Sequence, residues 1–246
     1  MKKQFSTEEL VSRWEDRRAI LNLMGIFSSH YLLKKEKDIV GSLWAEAADV
    51  CLATNDGYYC GQEAVAGYFE ALHQKNLLTS RLIQAKYPKE LGDKTPEEVY
   101  GVGIIDYKPL DTPVLELSRD GKTAKGLWYC RNSFNSLTEA GPMAYYSWGW
   151  VAADFLRENG AWKIWHLWMV DDIHVEAGNQ YYEQKKERPV VPEFAEMQNF
   201  SMPAPTVQKK VRELYYTDRP HTPGPRLPEP YDTFAETFSY GYEEEA

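Results

Sequence analysis

Residues 112–128 read TPVLELSRDGKTAKGLW, and residues 154–166 read DFLRENGAWKIWH. Each stretch runs from apolar residues through a polar turn into a second apolar run. Arg119-Asp120-Gly121-Lys122 and Glu158-Asn159-Gly160 carry Gly and Asn, the residues that tolerate the positive φ of tight hairpins. The pattern predicts hairpin-linked strands over 112–117 and 123–134, then 143–157 and 161–170.

Toward the N-terminus the periodicity changes. Ser6 and Glu9 form a Ser-x-x-Glu capping box. Leu10, Trp14, Leu21, Met24, Phe27 and Tyr31 then recur at intervals of three, four and seven, which predicts one long amphipathic helix over about 7–35. Asp38 is placed to cap a second helix carrying Ile39, Leu43 and Trp44. Residues 50–53 and 58–60 flank Asn55-Asp56-Gly57 and predict a short hairpin. After Gly61 a third helix carries Val65, Tyr68, Phe69 and Leu72 toward Leu82, and residues 84–103 read as a loop with one short capped helix. Helices followed by hairpin-linked strands give an α+β fold on a curved antiparallel sheet.

The chain has 246 residues and a net charge of −9, without a long basic run. That argues against binding to a nucleic acid backbone. No apolar run approaches a membrane span, and no secretory leader is visible at Met1-Lys2-Lys3-Gln4-Phe5, so no membrane partner and a cytoplasmic location are expected. Cys51, Cys60 and Cys130 lack metal-ligand spacing and are expected to be free thiols. Nine of the fourteen prolines follow Val175, yet that tail also carries Tyr181, Tyr182, Phe194, Phe200, Tyr215, Tyr216, Tyr231, Phe234, Phe238 and Tyr240. Disordered tails are poor in such rings. Residues 7–175 are therefore read as one domain, and 176–246 as an extension packed on it or on a neighbouring subunit of a homo-oligomer (dimer or trimer).

The order of elements over about 10–174, Gly61-Gln62-Glu63-Ala64-Val65, and the DGKTAKG and NGAWKIWH hairpins resemble the SnoaL-like branch of the nuclear transport factor 2-like superfamily. The resemblance implies a cystatin-like α+β barrel: a cone of helices packed on a bent sheet around a deep pocket. Its relatives include scytalone dehydratase, bile-acid 7α-dehydratase and ketosteroid isomerase, and most act without a metal or organic cofactor. Dehydratase-like relatives place a Tyr and an Asp late in the first helix, and a His just before the strand that here begins near Thr112. This chain has Ser29-His30-Tyr31 at the first position and Asp106-Tyr107-Lys108-Pro109-Leu110 at the second, so the Tyr is present and that His is not.

Candidate chemistry follows from residue type. His30 is a candidate acid or base, because imidazole titrates near neutrality, and Tyr31 a candidate oxyanion donor; either can equally be a core residue. Strict alternation along 162–168 puts Trp162, Ile164, His166 and Trp168 on one face, which makes His166 a third catalytic candidate and Trp168 a pocket wall. Trp128, Cys130 and Asn132 share one face of their strand and Arg131 takes the other; one face lines the interior. Arg131 is placed to clamp a carboxylate or to form a surface ion pair. Asp171, Asp172 and His174 end the last strand as rim residues, with Asp172 a candidate ligand contact. No metal site and no cofactor are expected, and Gly-rich phosphate loops, nucleophile elbows and paired-cysteine zinc motifs are missing from the sequence. The reading is a cofactor-independent lyase (dehydratase) or isomerase for a hydrophobic oxygenated ring compound, or a non-catalytic binding or oligomerisation module of the same fold.

Overall fold

The computed structural model describes residues 4–138, 141–179, 200–221 and 224–244. In chain order it has α1 (Thr7–Leu32), α2 (Glu36–Leu43), β1 (Cys51–Thr54), β2 (Gly57–Cys60), α3 (Gln62–Lys86), α4 (Pro88–Leu91), α5 (Pro96–Val99), β3 (Asp106–Tyr107), β4 (Leu110–Leu117), β5 (Thr123–Thr138), β6 (Gly141–Glu158) and β7 (Ala161–Glu176). Among the described residues, no helix is long and apolar enough to cross a membrane.

The capping box at Ser6 and Glu9 starts α1: each side chain bonds the other's backbone N–H. The helix stops at Leu32, earlier than its pattern suggests, because Lys34 turns into left-handed backbone at φ 57°. Helix α2 opens at Glu36 with Lys35 before it, so Asp38 lies inside its first turn and is not the cap. Between α3 and the sheet the chain makes two one-turn helices, the second with its own capping box of Thr95 and Glu98.

Seven strands form one sheet in the order β2-β1-β7-β6-β5-β3, with β4 also paired to β5. All neighbours are antiparallel except β1 and β7, which run parallel with Cys51 opposite His166. The β6–β7 turn is tight because Asn159 and Gly160 both hold positive φ, 50° and 81°. The three main helices cover the concave face. There Met24, Phe27 and Tyr31 of α1, Ile39 of α2 and Phe69 of α3 pack on Trp128, Val151, Phe155, Ile164 and Leu167. Gly126 is needed for this packing: a Cβ there would lie 2.3 Å from the Trp128 ring.

Two expectations about facing need correction. The apolar stripe of α1 is really two stripes. Ile20, Met24, Phe27 and Tyr31 are buried, whereas Leu10, Trp14 and Leu21 lie about 100° around the helix and face solvent, Trp14 at 71% exposure. Arg13 and Arg17 explain the difference. They continue the line of the buried stripe and donate to the carbonyls of Ser118, Leu117 and Leu115, so the first half of α1 docks on the edge strand β4 by charge-assisted bonds and not by its apolar residues. The second correction concerns β7. Its register with β6 slips between Asp154/His166 and Phe155/Ile164, which leaves Trp165 as a bulge. Ile164 and Leu167 therefore both join the core on the helix side, while His166 and Trp168 face the other way. A second slip, between Trp148/Ile173 and Gly149/Asp171, leaves Asp172 as another bulge.

The convex face is covered by the C-terminal extension. Val207 exchanges two backbone hydrogen bonds with Tyr58, and the carbonyls of Tyr231 and Asp232 accept from the N–H groups of Arg119 and Asp120. Tyr240 packs on Leu127 and Ala152. Of the tail rings named above, Tyr181, Tyr182 and Phe194 lie outside the described residues.

Candidate functional site

Three places concentrate polar chemistry: a cavity inside the cone, a cleft on the convex face, and a buried ionic cluster under the tail.

The inner cavity has a volume of about 430 Å³ and lies between α1, α3 and the concave face. Its apolar wall includes Tyr31, Tyr68, Leu72, Phe134, Val151 and Met169. Into it come Asp106, Lys108, Cys130, Asn132, Asp171 and His174. Asp106 pairs with Phe134 at the edge of β5, and two-residue alternation puts Lys108 on the same side while Tyr107 points to solvent. Ser28 of α1 donates to the Lys108 carbonyl at 2.5 Å and fixes that crossing.

Burial alone would pull the Lys108 ammonium down. The acids around it, Cys130, Asp106, Asp171 and Tyr68, outweigh burial, and the net shift is upward. Lys108 is therefore a cation at neutral pH, its Nζ 5.1 Å from the centre of the Tyr31 ring. Burial raises the Tyr31 hydroxyl well above its ordinary value and the Tyr68 hydroxyl to about 12, so both remain proton donors. The Tyr31 hydroxyl donates to the Met169 sulfur at 3.3 Å, a weak acceptor. Burial also pushes the Cys130 thiol up to about 11. Two oxygens in this cavity are buried without a hydrogen-bond partner among the described residues: Asp106 Oδ1 and Asn132 Oδ1, the latter on a side chain from a residue only 8% exposed. Leaving such an acceptor unpaired costs about 1–3 kcal/mol each, so they mark where a donor from a ligand would be welcome.

The rim is held by Asn55, at the tip of the β1–β2 hairpin. Its amide accepts from the Asp171 N–H at 2.8 Å and donates to the Asp171 carbonyl at 2.7 Å; its backbone carbonyl accepts from the N–H groups of Val211 and Arg212. Lys210, Arg212, Leu214 and Tyr216 of the tail thus border the cavity.

The convex cleft is larger, about 630 Å³, and is lined by Tyr129, Arg131, Trp148, Asp172, Tyr215 and His221 among others. Its charges are already matched. Arg131 bonds Asp111 through two nitrogens, at 3.0 and 2.8 Å, and Asp172 takes the Arg212 guanidinium and the Trp150 indole N–H. A satisfied cleft gives a ligand less to gain than the unsatisfied cavity, so size does not decide between them.

Under the tail, Asp154 accepts from Lys125 Nζ at 2.6 Å, His166 Nδ1 at 2.8 Å, the Tyr240 N–H at 2.7 Å and Ser239 Oγ at 3.2 Å. Lys125 and Asp154 have fully buried side chains. Four tail rings surround the ammonium, with centres at 4.3 Å (Phe238), 4.6 Å (Phe234), 5.2 Å (Tyr240) and 6.0 Å (Tyr231).

Of the residues singled out in the sequence, Tyr31, Cys130 and Asn132 meet in the inner cavity. Trp128 lies in the core beneath it. His30 is half-buried one step around α1 with Nδ1 unpaired among the described residues, and does not line the cavity. Arg131 and Asp172 belong to the convex cleft; His166 and Trp168 lie under the tail. Sequence reasoning misses Asp106, Lys108 and Tyr68 as site residues. The i, i+2 spacing of Asp106 and Lys108 just before a strand is the signal that could have found two of them. Among the described residues, no three His, Cys, Asp or Glu side chains come together as a metal-binding group.

Residues 12–167 match the family model of the SnoaL-like domain. Among solved structures the chain is similar to the Kfla4162 protein from Kribbella flavida (12% identity, 66% of this chain and 95% of that one, TM-score 0.49). It is also similar to the hexachlorocyclohexane dehydrochlorinase LinA-type3 from Novosphingobium barchaimii LL02 (14%, 71% and 99%, 0.46) and to an NTF2-like protein with a cystatin-like fold from Novosphingobium aromaticivorans (14%, 69% and 92%, 0.40). No curated protein matches the chain.

Proposed function

The chain belongs to the SnoaL-like domain family, and from that premise we propose that its inner cavity binds a small, largely apolar, oxygenated ring compound and moves a proton on it, as a cofactor-independent lyase or isomerase. The observation that carries this reading is the pair of unpartnered buried oxygens, on Asp106 and Asn132, in the same cavity as the Lys108 ammonium.

The roles follow from charge. The Asp106 carboxylate is the base that takes a proton from a carbon next to a carbonyl. The carbonyl oxygen gains negative charge in that step and meets the Lys108 ammonium and the Tyr31 hydroxyl, both of which hold their protons at neutral pH. Asn132 holds a second polar group of the substrate. The proton then returns at another carbon (isomerisation), or a neighbouring group leaves (elimination). The rings of Tyr31, Tyr68 and Phe134 lower the local dielectric on their side of the cavity and strengthen these interactions.

The test is exchange of carbon-bound hydrogen for deuterium, followed by NMR, across a panel of cyclic ketones, enones and hydroxyketones in heavy water. The wild type is expected to exchange the hydrogen next to the carbonyl of at least one compound. Asp106→Asn should lose that exchange while keeping the parent's thermal midpoint, and Lys108→Met should slow it by about two to three orders of magnitude, the loss typical of one oxyanion donor. Equal exchange in Asp106→Asn and wild type would remove Asp106 from the chemistry. Binding of ring compounds without any exchange would leave a binding module.

A further inference from the structure

The structure holds a second reactive group, independent of the cavity. Cys51 and Cys60 are directly opposite on the antiparallel β1–β2 hairpin, with their sulfurs 3.0 Å apart. The hydrogen-bonding pattern fixes the kind of pair. Gly61 N–H donates to the Val50 carbonyl one step outside, while Cys60 N–H turns away to the Thr206 hydroxyl at 2.8 Å. Cys51 and Cys60 are therefore a non-hydrogen-bonded pair, the type whose Cα atoms approach to about 4.5 Å. That separation lies inside the range a disulfide accepts, and the sulfurs need to close by only about 1 Å.

The two thiols are not equivalent. Cys51 is buried and Cys60 partly exposed. The hydrogen bond between the two sulfurs pulls Cys60 toward thiolate and pushes Cys51 up; burial pushes Cys51 the same way. One sulfur is a reachable nucleophile, and its partner is protected beside it with the proton. That is the arrangement of an attacking and a resolving cysteine.

We propose that Cys51 and Cys60 are a reversible oxidation site, closed to an intramolecular disulfide by a hydroperoxide and reopened by a dithiol. The Cys60 thiolate attacks one peroxide oxygen; the O–O bond breaks, and hydroxide leaves and becomes water on protonation. Cys60 is then a sulfenic acid. The Cys51 sulfur displaces that oxygen, forms the S–S bond and releases a second water. Two thiols lose two electrons and two protons, and one hydrogen peroxide becomes two waters. The hairpin so stapled ends in Asn55, which holds Asp171 and the tail at the cavity rim, so closure would lock that rim in place.

Full-length protein is treated with hydrogen peroxide, quenched, denatured and labelled with a maleimide. Of three cysteines, one (Cys130) is expected to label, with an intact mass lower by two hydrogens before labelling; dithiothreitol should restore all three. In Cys51→Ser, Cys60 should stop at a sulfenic acid that dimedone traps. In Cys60→Ser, Cys51 should stay reduced. A Cys130→Ser protein should still close. Full labelling after peroxide, or Cys60 carried to sulfinic acid while wild-type Cys51 still labels, would overturn the proposal.

Discussion

Asp154→Ala is expected to release the C-terminal segment before it unfolds the domain. The carboxylate serves four donors at once: Lys125, His166, the Ser239 hydroxyl and the Tyr240 N–H. Removing it leaves the Lys125 ammonium unpaired with its side chain fully buried. Breaking a buried ion pair from one side costs about 3–5 kcal/mol. Stranding the Tyr240 N–H adds about 1–3 kcal/mol, and the two are not fully additive. The rings around Lys125 offset part of this, since a desolvated cation on an aromatic face gains about 2 kcal/mol. A net loss of about 4 kcal/mol is thus expected from these opposing terms, but the molecule has a cheaper response. Letting residues 231–244 lift off returns Lys125 to water, so the loss in domain stability levels off at the free energy that holds the tail down. Chymotrypsin reads this directly, because its cleavage sites include Tyr231, Phe234, Phe238 and Tyr240. The variant should be cut there under conditions where the parent resists, while urea unfolding of the remaining domain stays cooperative. Lys125→Met makes the contrast: it leaves Asp154 with three donors and puts an apolar chain of similar length in the ring cage, so it should lose less than half as much. If Asp154→Ala unfolds within about 0.5 kcal/mol of the parent, as an ordinary surface change does, and the rings stay resistant, the ionic cluster does not hold the tail.

Alkaline pH should unfold the protein through its buried tyrosines. Burial pushes Tyr58 and Tyr68 up to about 12, whereas an unfolded tyrosine titrates near about 10. Between these values the unfolded chain binds fewer protons than the folded one, so stability falls as pH rises. Tyrosinate absorbance and far-ultraviolet circular dichroism should change together above about pH 10, and gradual ionisation with an intact fold would refute this. Removing everything after Val175 should uncover Leu127, Ala152 and the Lys125–Asp154–His166 cluster, with loss of solubility read by sedimentation. A soluble truncation of unchanged stability and subunit count would exclude a structural role for the tail.

The elements themselves are readable because their signals are local. A capping box, an Asn-Gly turn and an Asp-Gly turn each fix backbone geometry within four residues, and the structure has α1, the β4–β5 hairpin and the β6–β7 hairpin where those signals stand. The site is only partly readable. Tyr31 lies on the buried stripe of α1 and reaches the cavity; His30, beside it, is rotated about 100° away and does not. Asp106 and Lys108 sit at a two-residue strand with no periodicity to announce it, and their chemistry arises from what α1, α3 and β5 bring against them. Lys125 reads as an ordinary charged residue of a hairpin. Its burial depends on tail rings more than a hundred positions away.

The bulge at Trp165 shows how one residue can move a whole site. Without it, strict alternation would carry His166 and Trp168 onto the helix side with Ile164. With it, Leu167 and Met169 take the inner positions, Met169 reaching the Tyr31 hydroxyl, and the imidazole turns out to Asp154. The inner cavity thereby keeps the Met169 thioether where the Trp168 indole would have stood, and its cation comes from Lys108. The convex face gains an imidazole that the tail covers through Ser239 and the close-packed Gly241, where a Cβ would lie 2.9 Å from the ring. A single extra residue thus separates two polar clusters: Asp106, Lys108 and Tyr31 line the inner cavity, and His166 belongs to the seam between sheet and tail.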